Sequence, residues 1–325
     1  MQALELIISD IRAETPLIRT LHLRAPGGNS LPPFSPGAHL RVSIPGLADA
    51  RCYSLVTFAT DAAGFDAPPS YRLGVRLEAD SSGGSRYMHG LAVGDTISVT
   101  GPKNDFPLHA ATAGEAETVL IAGGIGITPI ASMASALQAA GRPWSMHYSG
   151  RSIDQLAFRD ELATLAGSAL HLHADDDPDT RLDIGSLLDH LSPSQHLYVC
   201  GPKGMIDAVI DGARTRGWPA SHVHFELFAA AAPLAGDRPF ELELRQSGQV
   251  LTVPADKTIL EVLEEAGCDP MYDCKRGECG VCTATVLEGE PEHRDYFLSD
   301  AEKASGKLIQ ICISRAKSAR LVLDL

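Results

Sequence analysis

Four cysteines in the C-terminal part of the chain have the residue type and spacing of a metal site. Cys274, Cys279 and Cys282 follow the pattern C-x4-C-x2-C, and Cys312 comes about thirty residues later. Thiolates are soft ligands that favour iron and zinc over hard cations. A cluster of two irons needs four of them, because each iron takes two ligands from the protein. The motif therefore predicts a metal centre that all four cysteines bind.

The spacing favours iron over zinc. Plant-type [2Fe–2S] clusters are held by C-x4-C-x2-C and a distant fourth cysteine. Structural zinc sites commonly use two C-x2-C pairs, and this segment has one. Gly277 and Gly280 lack a Cβ atom, so the loop can curl and direct backbone N–H groups toward the inorganic sulfides. We predict a [2Fe–2S] cluster, with structural zinc and buried, inert thiols as the alternatives.

Two short motifs near the N-terminus have phosphate-binding chemistry. Arg51-Cys52-Tyr53-Ser54 begins a strand-like run. The guanidinium of Arg51 can pair with a phosphate, and Tyr53, on the same face of a strand, can cover a flavin. Gly83-Gly84-Ser85-Arg86 offers free backbone N–H groups and the Ser85 hydroxyl, which also suit a phosphate. An ordinary surface strand and a flexible hairpin turn are the alternatives.

A glycine-rich turn in the middle of the chain is a candidate nucleotide site. Residues 123–129, GGIGITP, follow the apolar run TVLIA and begin a helical stretch. The glycines allow close approach of a pyrophosphate, and the N-terminus of a helix favours negative charge. The spacing differs from the G-x-G-x-x-G of Rossmann dehydrogenases, and a plain strand-to-helix turn is the alternative.

Another apolar strand ends at Cys200-Gly201-Pro202. The carboxyl ends of strands form the ligand crevice of an open α/β sheet, so Cys200 is a candidate nicotinamide contact. A buried structural cysteine is the alternative. His171 and His173 alternate on a strand, and we interpret them as structural or solvent-facing residues.

Length and charge limit the protein class. A chain of 325 residues predicts two or three domains. Its net charge of −14 argues against nucleic acid or an anionic membrane as a partner. The N-terminal residues show no signal-peptide pattern, and the apolar stretch 119–140 is interrupted by glycines and a proline. Cys52, Cys200 and Cys268 lie outside the cluster motif, which fits a reducing cytoplasm better than a disulfide framework.

The elements that would position these motifs fall into three parts. Residues 1–108 contain short apolar runs separated by turns, a pattern typical of an antiparallel β-barrel. Residues 109–228 alternate strands and helices, which predicts an α/β domain with a doubly wound parallel sheet. Residues 229–238 are small and proline-containing and predict a linker. Residues 239–325 begin with a hairpin, turning at Ser247–Gly248, and a helix. All four cluster cysteines follow, so we expect this segment to fold and hold its cluster alone.

Taken in order, the motifs R-C-Y-S, G-G-S-R, G-G-I-G-I-T-P, C-G-P, E-L-F and the cysteine loop resemble the phthalate dioxygenase reductase family. The resemblance covers the whole chain, including HRDYFLS and the ending SRAKSARLVLDL. Reductases of vanillate O-demethylases and carnitine-type monooxygenases are similar in the same way. The resemblance implies a multidomain chain of flavin β-barrel, NAD-binding α/β domain and α+β ferredoxin-like (β-grasp) domain, with FMN and not FAD as the flavin.

The resemblance also implies roles for individual residues. The implied FMN contacts are Arg51, Tyr53, Ser54, Val75, Arg76, Gly84, Ser85, Arg86 and Thr128. The implied nicotinamide contacts are Gly123, Gly124, Gly126, Gly201, Pro202 and Phe228. Ser54 would lie near the flavin N5 and, with Cys200 and Glu226, would form the catalytic group. Ser82 departs from the family, which often has arginine there, and leaves Arg51 and Arg86 as the phosphate-binding cations.

The implied function is electron transfer from NADH to FMN, then to the [2Fe–2S] cluster, and then to a partner Rieske non-haem iron oxygenase. The protein is expected to be a cytoplasmic monomer. Two alternatives are a free-standing NADH-dependent flavin reductase with another acceptor and an iron–sulfur redox sensor. Arg151 in the loop Ser149–Ser152 could meet the 2′-phosphate of NADPH, but the resemblance favours NADH.

Overall fold

The computed structural model describes residues 3–59, 63–110, 116–228 and 233–325. These residues form strands β1–β18 and helices α1–α8, with short 3-10 turns. The chain divides into two compact units, Met1–Phe228 and Ala229–Leu325. None of the helices in these ranges is long and apolar enough to cross a membrane.

The first part of unit one is an antiparallel β-barrel, as predicted. Its strands are β1 (Ala3–Ala13), β2 (Ile18–Arg24), β3 (His39–Val42), β4 (Arg51–Ser54), β5 (Tyr71–Arg76) and β6 (Thr96–Lys103). They are ordered β4-β3-β6-β1-β2-β5, and an antiparallel bridge between Leu55 and Leu73 closes the sheet by joining the end of β4 to β5. Two short helices, α1 (Ala63–Asp66) and α2 (Gly84–Gly90), lie between strands. Alternate residues of the strands fill the barrel with leucine, isoleucine and valine.

The second part of unit one is the predicted parallel α/β sheet. Its strands are β7 (Thr118–Gly123), β8 (Trp144–Gly150), β9 (Leu170–Ala174), β10 (His196–Cys200) and β11 (Val223–Glu226). Its helices are α3 (Ile127–Ala139), α4 (Arg159–Ala166), α5 (Ile184–Asp189) and α6 (Lys203–Thr215). The strand order is β11-β10-β7-β8-β9, so the chain adds β8 and β9 on one side of β7 and then β10 and β11 on the other. The crevice at such a reversal, outside the carboxyl ends of β7 and β10, is the usual ligand site of this fold.

Helix α3 fastens the barrel to the parallel sheet. The Ser132 hydroxyl donates to the Leu55 carbonyl at 2.6 Å and accepts from the Thr57 N–H at 3.0 Å. The Ser135 hydroxyl donates to the Thr57 carbonyl at 2.8 Å. Because these hydroxyls lie on a buried face of α3, the chain that leaves β4 is held in register with the first turns of this helix.

An ion pair makes a second connection between the two parts of unit one. Arg72 of β5 forms a bidentate pair with Glu161 of α4, with N···O distances of 2.7 and 2.8 Å. Its guanidinium also lies over the rings of Phe58 and Phe158, at 5.3 and 4.7 Å from their centroids. Bidentate geometry and cation–π contact both restrict the arginine to one orientation.

Unit two is an α+β domain of the predicted β-grasp type. Its strands are β12 (Phe240–Leu244), β13 (Gln249–Val253), β14 (Thr283–Glu288), β15 (Pro291–Glu292), β16 (Leu308–Gln310), β17 (Arg315–Ala316) and β18 (Arg320–Leu323). The main sheet has the order β13-β12-β18-β14-β16, with β12 and β18 parallel. Helix α7 (Ile259–Glu265) begins with a capping box of Thr258 and Glu261, and α8 (Asp300–Ser305) with one of Ser299 and Glu302.

The predicted linker 229–238 is only partly described, because residues 229–232 lie outside the described ranges. Its later residue Asp237 is anchored in unit two, where its carboxylate forms a bidentate pair with Arg294 at 2.5 and 3.0 Å. The Arg315 Nε lies 3.8 Å away. The hydrogen bond from Arg294 is the main cause that lowers the pKa of Asp237 to about 2. Asp237 therefore belongs structurally to the C-terminal unit.

Candidate cofactor sites

The cluster loop connects α7 to β14 and is irregular. Gly277 and Gly280 have φ of +77° and +74°, a region that favours glycine. A Cβ atom on Gly280 would lie 2.3 Å from the ring of Phe297, and one on Gly277 would lie 2.8 Å from Ile313. These contacts explain physically why glycine occupies both positions of the curled loop.

The four cysteine sulfurs of this loop and of the β16–β17 segment converge. In the thiol form, Cys312 hydrogen-bonds with Cys274 and Cys282, and Cys274 with Cys279. Hydrogen bonding with the Cys312 side chain is the main cause that lowers the pKa of Cys274 and the pKa of Cys282. The backbone N–H of Arg276 also donates to the Cys274 sulfur at 3.3 Å. These thiols stand in for the four thiolates that would hold the two irons, and their chemistry fits that cluster.

One residue beside the cluster cysteines has no counterpart in the sequence-based predictions. Gln310 is completely buried, and the Cys282 thiol donates to its Oε1 at 3.2 Å. Its only sequence signal is a polar side chain in the apolar run LIQICIS. Such a pattern does not show what the amide contacts.

The predicted flavin residues of β4 and α2 lie together. A Cβ atom on Gly84 would be 2.8 Å from the Arg51 Cγ and 3.3 Å from the Tyr53 hydroxyl. Arg51 donates to the Asp49 carbonyl at 3.0 Å and to the Ser82 hydroxyl at 3.3 Å. Ser82 thus orients Arg51. Burial raises the pKa of Tyr53 to about 12, which keeps its hydroxyl protonated as a donor.

The hairpin turn considered for Gly83–Arg86 is wrong, because Gly84 begins helix α2. The buried Met88 and a 2.9 Å contact of the His89 ring with the Val75 carbonyl hold this helix against β5. The Ser85 hydroxyl accepts from the Glu78 N–H at 3.1 Å, so its own proton stays available to a phosphate oxygen.

The other predicted flavin residues surround the same side of the barrel. Arg86 donates to the Ala79 carbonyl at 3.4 Å, and the Arg76 Nη1 lies 3.9 Å from the Glu78 carboxylate. Ser54 ends β4 and is buried. Thr128, in the first turn of α3, reaches β5, where a Cβ on Gly74 would lie 2.8 Å from its methyl group. The geometry suits a flavin phosphate, but the assignment of these residues to FMN stays a prediction.

The two predicted nicotinamide turns touch backbone to backbone. A Cβ on Gly126 would lie 2.1 Å from the Cys200 carbonyl oxygen, and one on Gly123 would lie 2.6 Å from Pro202. A Cβ on Gly201 would lie 3.0 Å from the Gly123 backbone. Gly124 has a φ of +54°, and its carbonyl accepts from the Tyr148 hydroxyl at 3.2 Å. The glycines thus shape the crevice between the ends of β7 and β10.

The predicted catalytic residues of this domain end adjacent strands. Cys200 and Glu226 are paired across β10 and β11, and both side chains are buried. Phe228, two residues after Glu226, is 43% exposed and available for stacking. This placement agrees with a nicotinamide site, and the roles of Cys200, Glu226 and Phe228 stay predictions.

Histidines gather on both edges of the parallel sheet. His171 and His173 stack with His147, in agreement with a structural interpretation. On the opposite edge, His109, His196 and His224 bring their ring nitrogens within 4.8 Å. The Arg142 guanidinium lies 2.9 Å from the His109 Nε2 and occupies its lone pair, so these residues form a hydrogen-bonded histidine–arginine network.

Two protein families match separate parts of the chain. The 2Fe-2S iron-sulfur cluster binding domain matches residues 242–317, which contain all four cluster cysteines. The oxidoreductase NAD-binding domain matches residues 120–211, which contain both nicotinamide turns. Fold and sites together define an oxidoreductase with a nicotinamide domain and a [2Fe–2S] domain, so the prediction of an enzyme is confirmed.

Full-length relatives identify the family. The chain is 42% identical to the vanillate O-demethylase oxidoreductase of Pseudomonas sp. (strain HR199 / DSM 7063) over 99% of this chain and 100% of that protein. It is 41% identical to the tetrachlorobenzoquinone reductase of Sphingobium chlorophenolicum, over 100% of this chain and 99% of that protein. The solved phthalate dioxygenase reductase, described as a modular structure for electron transfer from pyridine nucleotides to [2Fe–2S], is 38% identical. Its TM-score is 0.71, over 99% of this chain and 98% of that chain. The chain belongs to the phthalate dioxygenase reductase family, and the predicted set of NADH, FMN and a [2Fe–2S] cluster agrees with that family.

Proposed function

We propose that the protein is the reductase component of a two-component oxygenase. Electrons from NADH would pass through FMN and the [2Fe–2S] cluster to a Rieske-type oxygenase that hydroxylates or demethylates a small molecule. The observation that carries the proposal is the convergence of four cysteine sulfurs in a chain that also contains a nicotinamide domain. The reductase is proposed to be a cytoplasmic monomer.

The residues of unit one support the first part of this route. Arg51, Ser85 and Arg86 would provide hydrogen-bond donors for the flavin phosphate. Ser54 is the last residue of β4, the strand that begins with Arg51. When bound, FMN accepts a hydride and releases its two electrons singly, which a one-electron cluster requires. Cys200 and Glu226 would position the nicotinamide at the crevice, where their buried side chains exclude water from the hydride donor.

The oxygenase partner is supported by the full-length similarity to the vanillate O-demethylase oxidoreductase, whose name links it to a demethylase. A second function is favoured by a different observation. The tetrachlorobenzoquinone reductase is almost as similar over the same length, so a quinone is the alternative acceptor. Proteins of this one fold would then differ in the acceptor to which they pass electrons. An experiment can decide whether the acceptor of this protein is an oxygenase or a quinone.

The test begins with cofactor content and the order of electron carriers. The purified protein should release FMN on heating, without an equal amount of FAD. Cys279→Ser should abolish NADH-driven reduction of cytochrome c and spare flavin reduction by NADH, because the substitution removes only a cluster ligand. Cys268→Ser, a free cysteine outside the motif, is the matched control and should change neither rate.

The acceptor is then tested directly. Under the oxygenase proposal, NADH-dependent product formation by a purified Rieske oxygenase, such as a vanillate demethylase component, requires this protein and fails with Cys279→Ser. Under the alternative, a chlorinated benzoquinone is reduced faster than the oxygenase accepts electrons. Equal loss of flavin reduction and cytochrome reduction in Cys279→Ser would contradict the linear order of carriers.

A further inference from the structure

Gln310 places a neutral amide against a cluster cysteine in the core of unit two. It is the last residue of β16 and pairs with Thr283 of β14. Its side chain is completely buried. A buried amide is costly unless it is hydrogen-bonded, and here each side of the amide has a partner. Oε1 accepts from the Cys282 thiol at 3.2 Å, and Nε2 donates to the Thr283 hydroxyl at 2.5 Å.

These bonds form a chain with one direction in the thiol state. Cys282 donates to Gln310, Gln310 donates to Thr283, and the Thr283 hydroxyl donates to the Gly280 carbonyl at 2.6 Å. Each of these three groups donates a hydrogen bond to an acceptor. The direction of the whole chain depends on the proton of the Cys282 thiol.

A cysteine that binds iron has lost that proton. Its sulfur then accepts hydrogen bonds and donates none, so the Gln310 Oε1 would face another acceptor. A half-turn of the amide about its last side-chain bond exchanges Nε2 and Oε1 in nearly the same volume. Nε2 then donates to the Cys282 sulfur, and the Thr283 hydroxyl donates to Oε1.

In the reversed chain, each polar atom named here keeps a hydrogen-bond partner. The Gly280 carbonyl, which loses the Thr283 hydroxyl, keeps the Thr283 backbone N–H as a donor at 3.2 Å. The Thr283 hydroxyl holds the amide in the reversed orientation, because Oε1 has its acceptor role satisfied only in that direction. The same three side chains therefore satisfy both the thiol and the thiolate state.

We propose that Gln310 donates an N–H hydrogen bond to the Cys282 sulfur of the bound cluster, with Thr283 orienting the amide, and thereby raises the cluster's reduction potential. Hydrogen bonds to ligand sulfurs are among the factors that set such potentials. The bond strengthens when an electron adds negative charge to the cluster, so it stabilises the reduced form. Gln310 is a positioning residue in this role. The inference rests on the proposed function only in requiring that the [2Fe–2S] cluster binds.

The test is a potentiometric titration of the full-length protein, followed by the EPR signal of the reduced cluster. Gln310→Leu keeps a buried side chain of similar reach and removes the donor. We expect the ratio of reduced to oxidised cluster at a fixed potential to fall about tenfold, which is about 59 mV for a one-electron couple. In Gln310→Leu, the resonance Raman bands of the Fe–S bonds should also shift less on exchange into D2O than they do in the unaltered protein.

Thr283 provides the matched controls. Thr283→Val removes the orienting hydroxyl and should lower the potential in the same direction by a smaller amount. Thr283→Ser keeps the hydroxyl and should leave it unchanged, as should Thr285→Val, on the same strand but facing Leu308. Iron content and the visible spectrum report cluster loading independently of any activity.

Each outcome separates this inference from the proposed function. If the unaltered protein contains no [2Fe–2S] cluster, the proposed function fails. If the cluster is present and Gln310→Leu leaves both the potential and the Raman shift unchanged, the inference alone is overturned. Should Gln310→Leu not load its cluster, the Thr283 pair decides, and equal potentials in Thr283→Val and Thr283→Ser overturn the inference.

Discussion

Gly84 shows how a single missing side chain shapes the predicted flavin site. It begins helix α2, where alanine would normally be the better residue. A Cβ atom there would displace Arg51 and Tyr53, at 2.8 and 3.3 Å. We expect Gly84→Ala to weaken FMN binding about tenfold, the effect of one lost charged hydrogen bond. Quenching of flavin fluorescence measures the affinity.

The matched control is Gly90→Ala at the other end of the same helix, where a Cβ meets nothing within 4 Å. This substitution should leave FMN affinity unchanged and keep or raise the melting temperature. Equal losses in the two variants would show that helix α2 as a whole, and not the contact with Arg51, determines flavin binding.

The residues that sequence alone could identify are those whose chemistry needs a local pattern. Cys274, Cys279 and Cys282 must lie on one loop to reach the same irons, and that requirement leaves a spacing in the sequence. Gln310 and Ser132 act through side-chain contacts with partners far along the chain. No spacing rule records such contacts, so both residues can be found only in the folded structure.

Two partly buried histidines of the parallel sheet, His147 on β8 and His224 on β11, predict a loss of stability in mild acid. Burial is the main cause that lowers the pKa of His147 and of His224 to about 4. An unfolded histidine titrates near 6.5, so between these values the unfolded chain binds more protons than the folded chain. Stability is therefore complete above about pH 6.5 and falls as the pH decreases toward 4.

Thermal unfolding at pH 7.5 and 5.5 measures this effect. After allowing for solvent screening, each histidine should contribute up to about 1 kcal/mol to the difference. His147→Gln and His224→Gln should each reduce the pH dependence, because glutamine does not titrate. His190→Gln, at an exposed helix end, is the control. If a variant with both substitutions, His147→Gln and His224→Gln, showed an unchanged pH dependence, these two histidines would not be the cause of the acid destabilisation.

The loop after β8 predicts a preference for NADH. The Ser152 hydroxyl donates to the Asp154 carboxylate, and the Arg151 carbonyl accepts from the N–H of Asp176, in an acidic run. Carboxylates near this loop oppose a 2′-phosphate. With ferricyanide as acceptor, kcat/KM should be at least about tenfold higher for NADH, a difference of about 1.4 kcal/mol.

Arg151→Ala should leave the NADH value nearly unchanged, and Asp154→Asn should narrow the preference by removing a negative charge. The prediction is wrong if NADPH is equal or better and Arg151→Ala removes that advantage. In that case Arg151 binds the 2′-phosphate, as its position in the sequence also allows.

At the level of elements, periodic patterns predicted the strands well. In barrel strands such as β1, more buried and less buried residues alternate, whereas in the parallel strand β7 every residue is buried. The two patterns are easy to tell apart in the sequence. The helix at Gly84–Gly90 was not distinguished from a turn, because glycine pairs favour turns locally. Its packing on β5 through Met88 and His89 overrides that local preference.

On the scale of the whole molecule, composition locates the linker but not the point where unit two begins. Residues 229–238 look uniformly like a linker, yet the side chain of Asp237 is only 7% exposed and is paired with Arg294 and Arg315. Those arginines lie far along the sequence, so the sequence gives no local sign that Asp237 has a structural role. The useful boundary of an independent domain therefore precedes Asp237.

This boundary leads to a prediction about isolated fragments. Residues 233–325 should fold, load a [2Fe–2S] cluster and show its visible spectrum. Residues 239–325, the segment that composition alone delimits, lack Asp237 and leave the Arg294 and Arg315 side chains, 11% and 5% exposed, without that carboxylate. Loss of one partner from a buried ion pair costs about 3–5 kcal/mol, so this fragment should be less stable and hold less iron.

Urea unfolding and iron content of the two fragments provide the measurement, and Asp237→Ala in the full chain separates the effect of the carboxylate from that of the shortened end. The substitution should lower the unfolding midpoint of the C-terminal unit, as the shorter fragment does. Equal stability of the two fragments would show that Arg294 finds a sufficient partner in Glu292, at 2.7 Å. A colourless, unfolded 233–325 fragment, produced under conditions that load the full chain, would contradict an independent C-terminal domain.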